Sequence, residues 1–377
     1  MSTLLLEQHN LPGEYATSFV RGRFEFETSL HELPDMRSQK DTIDVIDYLL
    51  DDAGLDIEFI PIPEAYRVIL PDKKVDVTVP FGIDNFIDTV SREVPGSRKT
   101  ISDYINLCRE INEGFKYLGE NRGNISYRRF FKEHGNFIRT SARTMEKTAD
   151  ALGLTEKIKN IIYPYWCYLG VPESRLSFSI WASMLYAYIS SGATIPKLRS
   201  HEMAAAFINK IEESGGTVEL NTEVKKILVK GNSIYGIETR DGKTIMVKSI
   251  ISNASPTLIF NSLISPKEAV PAQALRNIGT RRHGLSLVVV YLGLKAANPD
   301  CSPPGTTILS ITAGFRPEAW DSIIPRALSV EDENYINGLE FCGGFSYRAH
   351  GYGSSILSGK DAFISSLKHL KSAGAEK

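Results

Sequence analysis

The chain has 377 residues and a net charge of −2, with 42% apolar and 23% charged residues. That length suits two domains or one large α/β body with insertions, and the balance is ordinary for a soluble globular protein. The near-neutral charge excludes a strong overall field for nucleic acid or anionic lipid. Four cysteines, Cys108, Cys167, Cys301 and Cys342, stand far apart with no CxxC pair. Neither a disulfide framework nor a metal site is expected, and a reducing cytoplasm fits. No basic stretch followed by a long apolar core marks a signal peptide at the N-terminus.

In chain order, Leu4–Glu7 reads as a short parallel strand buried on both faces, followed by a Pro12-Gly13 turn. Asp41–Ala53 reads as a helix with Ile43, Ile46, Leu49 and Leu50 on its apolar face. Ile57–Pro61, Tyr66–Leu70 and Val75–Val79 read as strands, with a turn at Asp72-Lys73-Lys74. A long helical region runs from Ile83 to Ile189, with stops at Pro95-Gly96, Gly153 and Pro164. The stretch Leu176–Pro196 carries no charge and is close to the ~20 residues a membrane-spanning helix needs. Its five serines, Gly192 and Pro196 favour a buried helix lining an apolar cavity.

Glu202–Ser214 reads as an amphipathic helix ended by Gly215-Gly216. Four strands follow in quick order: Thr217–Leu220, Val224–Lys230, Ser233–Thr239 and Thr244–Ser252. The turns Lys230-Gly231-Asn232 and Asp241-Gly242 make the last three a meander. Later come strands at Leu285–Leu294, Thr307–Thr312 and Gly338–Cys342, then a helix from Ser354 to Leu370.

Three stretches carry chemistry. An acid at the end of a strand, Glu7, suits the hydroxyls of an adenosine ribose. The meander ending at Asn253-Ala254 suits a crossing over a nucleotide-binding sheet. The C-terminal stretch has Gly343-Gly344 after a strand, then Gly353, Ser354 and Ser355 opening a helix. Glycines let a ligand approach the backbone, and a helix N-terminus favours negative charge. Taken alone, each stretch also has a bland reading: a solvated acid, a generic meander, a glycine-rich loop.

In this order the stretches resemble the flavin-dependent carotenoid desaturase, carotenoid isomerase and retinol saturase family, over nearly the whole chain. The resemblance implies an α/β, glutathione-reductase-like FAD-binding fold plus an α+β substrate domain. It implies that Glu7 meets the ribose and that Gly13, Thr17 and Ser18 belong to the second flavin motif. The segment from Phe24-Glu25-Phe26 to His31 would lead to the isoalloxazine, and the Val224 backbone would read the adenine. Asn253 and Ala254, then Gly343, Gly344, Gly353, Ser354 and Ser355, would complete the cofactor site. The FAD-binding parts would be residues 1–55, 194–262 and 331–377, with the substrate domain at 56–193 and 263–330.

Departures from the family pattern matter too. No glycine-rich turn after a first strand is seen, so the FAD fold is expected to be incomplete and the chain truncated within its first βαβ unit. Glu14 stands where the family has glycine, and a carboxylate there repels a pyrophosphate. Pro196–Ser200 replaces a glycine pair. The stretch from Phe315 to Ile324 looks short, as if by internal deletion.

The expected activity is FAD-dependent desaturation or saturation of an apolar polyene or isoprenoid, with hydride transfer at flavin N5. A redox-neutral cis–trans isomerase and an inactive remnant that no longer binds FAD are the alternatives. No catalytic acid or base stands out; His31 and His350 lie near the motifs. The cysteine usage fits a cytoplasmic chain with peripheral membrane contact left open, and the charge balance implies no nucleic-acid partner.

Overall fold

The computed structural model describes residues 2–13, 16–28, 32–34, 50–121, 124–280, 286–294, 308–315, 336–337, 339–341 and 352–375. The chain opens with strand β1 (Leu4–Leu6), then a hairpin, β2 (Ser18–Arg21) and β3 (Phe24–Glu27), with Phe19 opposite Phe26. Short strands β4 (Leu33–Pro34) and β5 (Phe59–Pro61) precede a second hairpin, β6 (Glu64–Leu70) and β7 (Val75–Pro80). The expected turn at residues 72–74 is a helical turn closed by Lys74 at φ 52°. The helix expected over residues 41–53 falls mostly outside the described residues, although 50–52 are helical and Leu50 is buried.

A helical body follows: α1 (Ile83–Glu93), α2 (Arg98–Glu120), α3 (Tyr127–Glu133), α4 (Gly135–Thr140), α5 (Met145–Ala151), α6 (Glu156–Ile162) and α7 (Phe178–Ser191). Local chemistry sets its boundaries. The side chains of Ser126, Thr144 and Thr155 accept the N–H three residues on, capping α3, α5 and α6. The stops fall where expected, with Gly96 and Gly153 at positive φ after α1 and α5, and Pro164 two residues beyond α6.

The largest core lies inside this body. Phe86, Tyr104, Phe178 and Trp181 are fully buried, and Trp181 Nε1–H donates to the Tyr104 hydroxyl at 2.7 Å. The uncharged stretch is therefore α7 and the strand after it, buried by neighbouring protein. No helix among the described residues is long and apolar enough to cross a membrane.

Strand β8 (Ala193–Pro196) then lies between β4 and β5, antiparallel to both. Helix α8 (Arg199–Glu213) leads into β9 (Thr217–Glu219), which pairs parallel with β1, Leu4 opposite Thr217. The meander is β10 (Val224–Lys230), β11 (Ser233–Thr239) and β12 (Thr244–Met246). The single strand expected over Thr244–Ser252 is in fact two. Val247 N–H still donates to Tyr235 O at 3.1 Å, then the chain leaves the meander to form β13 (Ile250–Ser252). Beyond it come β14 (Ile264–Ser265), parallel to β10, and α9 (Ala272–Gly279). A hairpin of β15 (Ser286–Gly293) and β16 (Ile308–Phe315) precedes β17 (Leu339–Phe341), which pairs parallel with β13. Helix α10 (Tyr352–Ala375) packs on both β13 and β17. The suspected deletion after Phe315 lies outside the described residues.

Among the described residues β1–β9 and β13–β17 are separate parallel ladders, and a third parallel pair, β10–β14, belongs to the meander sheet. The expectation that β1 is buried on both faces is corrected here: Leu4, Leu5 and Leu6 are each half-buried. A strand paired along one edge leaves the other edge and its flanking side chains partly in water.

Core and surface aromatics should respond very differently to truncation. Trp181→Ala should lower the unfolding free energy in urea by about 3–5 kcal/mol. Tyr127→Ala, on an exposed face of α3, should change it by no more than about 0.5 kcal/mol.

Candidate functional site

The first group of expected residues sits at the C-terminal end of β1. Glu7 N–H donates to Glu219 O at 3.0 Å, extending the ladder by one step. Thr222 N–H then donates to Glu7 O at 2.8 Å, and Asn221 N–H to His9 O at 3.0 Å. The β9–β10 connection is thereby folded over the end of β1, with Asn221 at φ 54° making the bend. This draws the start of β10, Val224, towards Glu7. One oxygen of Glu7 accepts the His9 N–H at 2.8 Å, which fixes the carboxylate at the strand end. An acid there, beside a folded-back connection, fits the ribose and adenine end of a dinucleotide.

The second group surrounds the start of α8. Gly13 has φ 93°, and an added Cβ would lie 2.5 Å from Ala16 O and 3.0 Å from the Ala204 methyl. The turn needs glycine for its positive φ and its close approach to the Ala16 carbonyl, and the turn also lies against α8 at Ala204. Glu14, the expected obstacle to a pyrophosphate, lies outside the described residues, as does Tyr15. Thr17 and Ser18 are buried. Thr17 Oγ1 lies 3.4 Å from His201 Nδ1, and Ser18 Oγ–H donates to Glu25 Oε1 at 2.5 Å. Their hydroxyls are thus engaged within the fold.

Beside them Glu27, buried on β3, accepts the Ser200 N–H at 3.0 Å and the Ser200 hydroxyl. Glu202 accepts the Leu198 N–H at 2.9 Å. Carboxylates of the chain itself therefore occupy N–H groups at the start of α8, groups that would otherwise suit an anion. Arg199, within the run that departs from the family glycines, has φ 72°. An L-residue there is strained.

The third group follows β13. Asn253 and Ala254 are exposed, and Ala254 N–H donates to Ser252 Oγ at 3.2 Å. Helix α10 starts at Tyr352, so Gly353, Ser354 and Ser355 form its first turn and not a loop before it. First-turn N–H groups have no intrahelical partner. Gly343, Gly344, His31 and His350 lie outside the described residues. No strand pairing joins β1 to β13 or β17 among the described residues, so the groups at the two ladder ends remain on separate ladders.

The structure also assembles a cluster that sequence reasoning missed. Glu32, just before β4, lies against Tyr165 in the helical turn Pro164–Leu169 and Tyr188 on α7. Tyr165 donates to Glu32 Oε1, and Tyr188 lies 2.8 Å from Glu32 Oε2. The two hydroxyls are 2.5 Å apart, and Tyr188 also lies 2.9 Å from Ala65 O. Burial, reinforced by Glu32, pushes both phenols well above their usual range. These four contacts need four protons. Two neutral phenols supply two, shared among the carboxylate, each other and the Ala65 carbonyl. The available signal was Glu32 directly after the segment matched to the isoalloxazine, with tyrosines in the aromatic stretch.

Two substitutions check these geometries. Glu32→Gln, which keeps an acceptor beside the phenols, should cost under about 1 kcal/mol of stability, whereas Glu32→Ala should cost about 1–3 kcal/mol by removing an acceptor from both phenols. Arg199→Gly should stabilise the fold by about 1 kcal/mol in the same urea titration, through relief of the left-handed backbone.

Residues 30–323 match the family model for flavin containing amine oxidoreductase. The all-trans-retinol 13,14-reductase of Danio rerio is 24% identical over 315 residues, which are 79% of this chain and 51% of that protein. The phytoene desaturase (lycopene-forming) of Pantoea ananas is 22% identical over 311 residues, 77% of this chain and 58% of that protein. The chain thus spans about half the length of the curated relatives it matches. A solved oxidoreductase from Methanosarcina mazei has a TM-score of 0.66 at 14% identity, over 96% of this chain and 94% of that one. This likeness shows the shared α/β fold. With the family match running across most of its length, the chain belongs to the flavin containing amine oxidoreductase family, among relatives of the retinol saturase and carotenoid desaturase group.

Proposed function

We propose that this chain is an FAD-dependent oxidoreductase that saturates or desaturates a long apolar polyene of the retinoid or carotenoid class. The observation that carries the reading is the family match, supported by the 221–224 segment folded back onto Glu7 at the end of β1. When bound, FAD supplies or takes a hydride at its N5 atom.

The chain's own residues divide the remaining work. Glu7 holds the ribose, and the Val224 backbone meets the adenine. The Gly13 turn with Thr17 and Ser18 shapes the phosphate side. Asn253 and Ala254 would border the flavin, and the first turn of α10 at Gly353, Ser354 and Ser355 would offer its positive dipole end to the flavin's negative edge. The helical body within residues 56–193 would enclose the polyene. Adding hydrogen across a double bond breaks one π bond and forms two C–H bonds, one from hydride and one from a proton. The hydroxyls of Tyr165 and Tyr188, oriented by Glu32, would pass on that proton, and receive it in the reverse direction.

A second reading, in which the chain alone does not retain FAD, is favoured by the half-buried leucines of β1, which pairs with β9 alone among the described residues. The purified chain, titrated with FAD and followed by visible absorbance and released flavin, separates the two. Near-stoichiometric flavin supports the first reading, and Glu7→Ala should then weaken FAD binding about tenfold or more through loss of a charge-assisted hydrogen bond. Absence of flavin at saturating FAD would overturn it. Product analysis with and without reductant then distinguishes saturation and desaturation from redox-neutral isomerisation.

A further inference from the structure

We propose that a cleft between the edge of β6 and the segment running from α6 through the turn Pro164–Leu169 binds a small molecule by its guanidinium group. The cleft shares no residue with the cofactor assignments above. None of Glu32, Tyr165 and Tyr188 lines it, although Trp166, which does, follows Tyr165 directly in the turn.

The cleft has a volume of about 380 Å³. That lies within the range of roughly 300–1,000 Å³ found for small-molecule sites. One wall is Arg67, Val68, Ile69 and Leu70 of β6. Consecutive strand residues point to opposite faces, so a wall that takes all four is the edge of the strand. Among the described residues β6 pairs with β7 alone. Its other edge therefore presents N–H and C=O groups with no strand partner. The lining also includes Trp166 and Glu173. Tyr163 and Tyr165 are in ring contact with Trp181 and Tyr188, whereas the half-buried Trp166 has no ring partner among the described residues.

Charge decides what the cleft lacks. Arg67 is held by Asp76 through two bonds of 2.7 Å, Lys73 by Glu156 at 3.0 Å and Lys159 by Asp150 at 2.5 Å. Each cation at or beside the cleft thus has a carboxylate of its own. Glu173 is the carboxylate left over, with no ion pair to a described residue. Partial burial raises its carboxyl above the usual range; Lys159 opposes this, and Glu146 and Glu156 reinforce it. A planar cation with N–H donors and no acceptor completes the set. It stacks on an indole face, forks onto a carboxylate and gives its remaining donors to C=O groups of the strand edge. A guanidinium has that shape, and a compact ammonium lacks both the plane and the fork. The exposed Ile69 and half-buried Leu70 suit the carbon stem of such a ligand.

Calorimetric titration of the purified chain with Nα-acetylarginine amide tests the proposal without added flavin, so failure of FAD binding leaves the result readable. One equivalent should bind with a Kd of about 1 mM or tighter. The citrulline amide replaces the guanidinium by a neutral urea of the same shape, and the lysine amide offers an ammonium. Each should bind about tenfold more weakly or worse. Glu173→Gln should lower the affinity for the arginine amide about tenfold or more while leaving the urea midpoint unchanged. No saturable heat with the arginine amide up to about ten times the expected Kd would overturn the proposal. So would wild-type affinity in Glu173→Gln, or equal binding of the citrulline amide, because the charge pair would then have no role. Equal binding of the lysine amide would overturn it too, since the planar fork would then not be what the cleft recognises.

Discussion

A buried carboxylate at the start of α8 ties the N-terminal segments to the rest of the described fold. Glu27 belongs to the β2–β3 hairpin, yet its two oxygens are satisfied by Ser200, 173 residues away. Through α8 the same region meets the Gly13 turn, where the Ala16 carbonyl and the Ala204 methyl together crowd out a side chain. The helix then delivers the chain to β9, which pairs with β1. Hydrogen bonds to a charged group contribute about 1.5–3 kcal/mol each, and more is lost when a buried charge loses its partner. One acidic residue therefore sets where the hairpin, the turn and the first parallel ladder lie relative to one another.

That arrangement has a chemical consequence. Helix N-termini are natural anion sites, but α8 spends part of its N-terminal capacity on the chain's own carboxylates. The end of β1 has a different character. There Glu7 stands at the close of a parallel strand with the 221–224 segment folded beside it, which is the geometry expected for the sugar and base of a dinucleotide. The two ladders, β1–β9 and β13–β17, share this parallel character, and Asn253 follows β13 as Glu7 follows β1.

Away from these ends the helical body mixes an inert interior with a polar spot. Trp181, Tyr104 and Phe178 pack as ordinary core, so the aromatic richness of the sequence is mostly structural. Tyr165 and Tyr188 differ because they converge on Glu32, giving an acid and two phenols more contacts than two hydroxyl protons can serve. The same body carries Tyr127 and Phe131 of α3 in water. Burial decides the contrast: an aromatic ring with a buried hydroxyl seeks a polar partner, and one left in water makes no such demand.

The sequence by itself determined whatever depends on neighbours in the chain. Strands β10 and β11 have the residues expected of them, because their turns contain Gly231 and Gly242 at positive φ. The helix stops and the family resemblance were legible for the same local reason, the motifs being short and ordered. Tertiary structure alone decided the rest. Residues 244–252 read as one strand locally, but β12 has a partner in the meander and β13 has one in β17, roughly ninety residues later. β1 reads as a buried strand, but burial depends on how many neighbours it gains. Glu32 reads as one acid among many until Tyr165 and Tyr188, 133 and 156 residues away, close on it. Hydrophobic pattern and turn chemistry act over a few residues, whereas a site is made by side chains that only packing brings together.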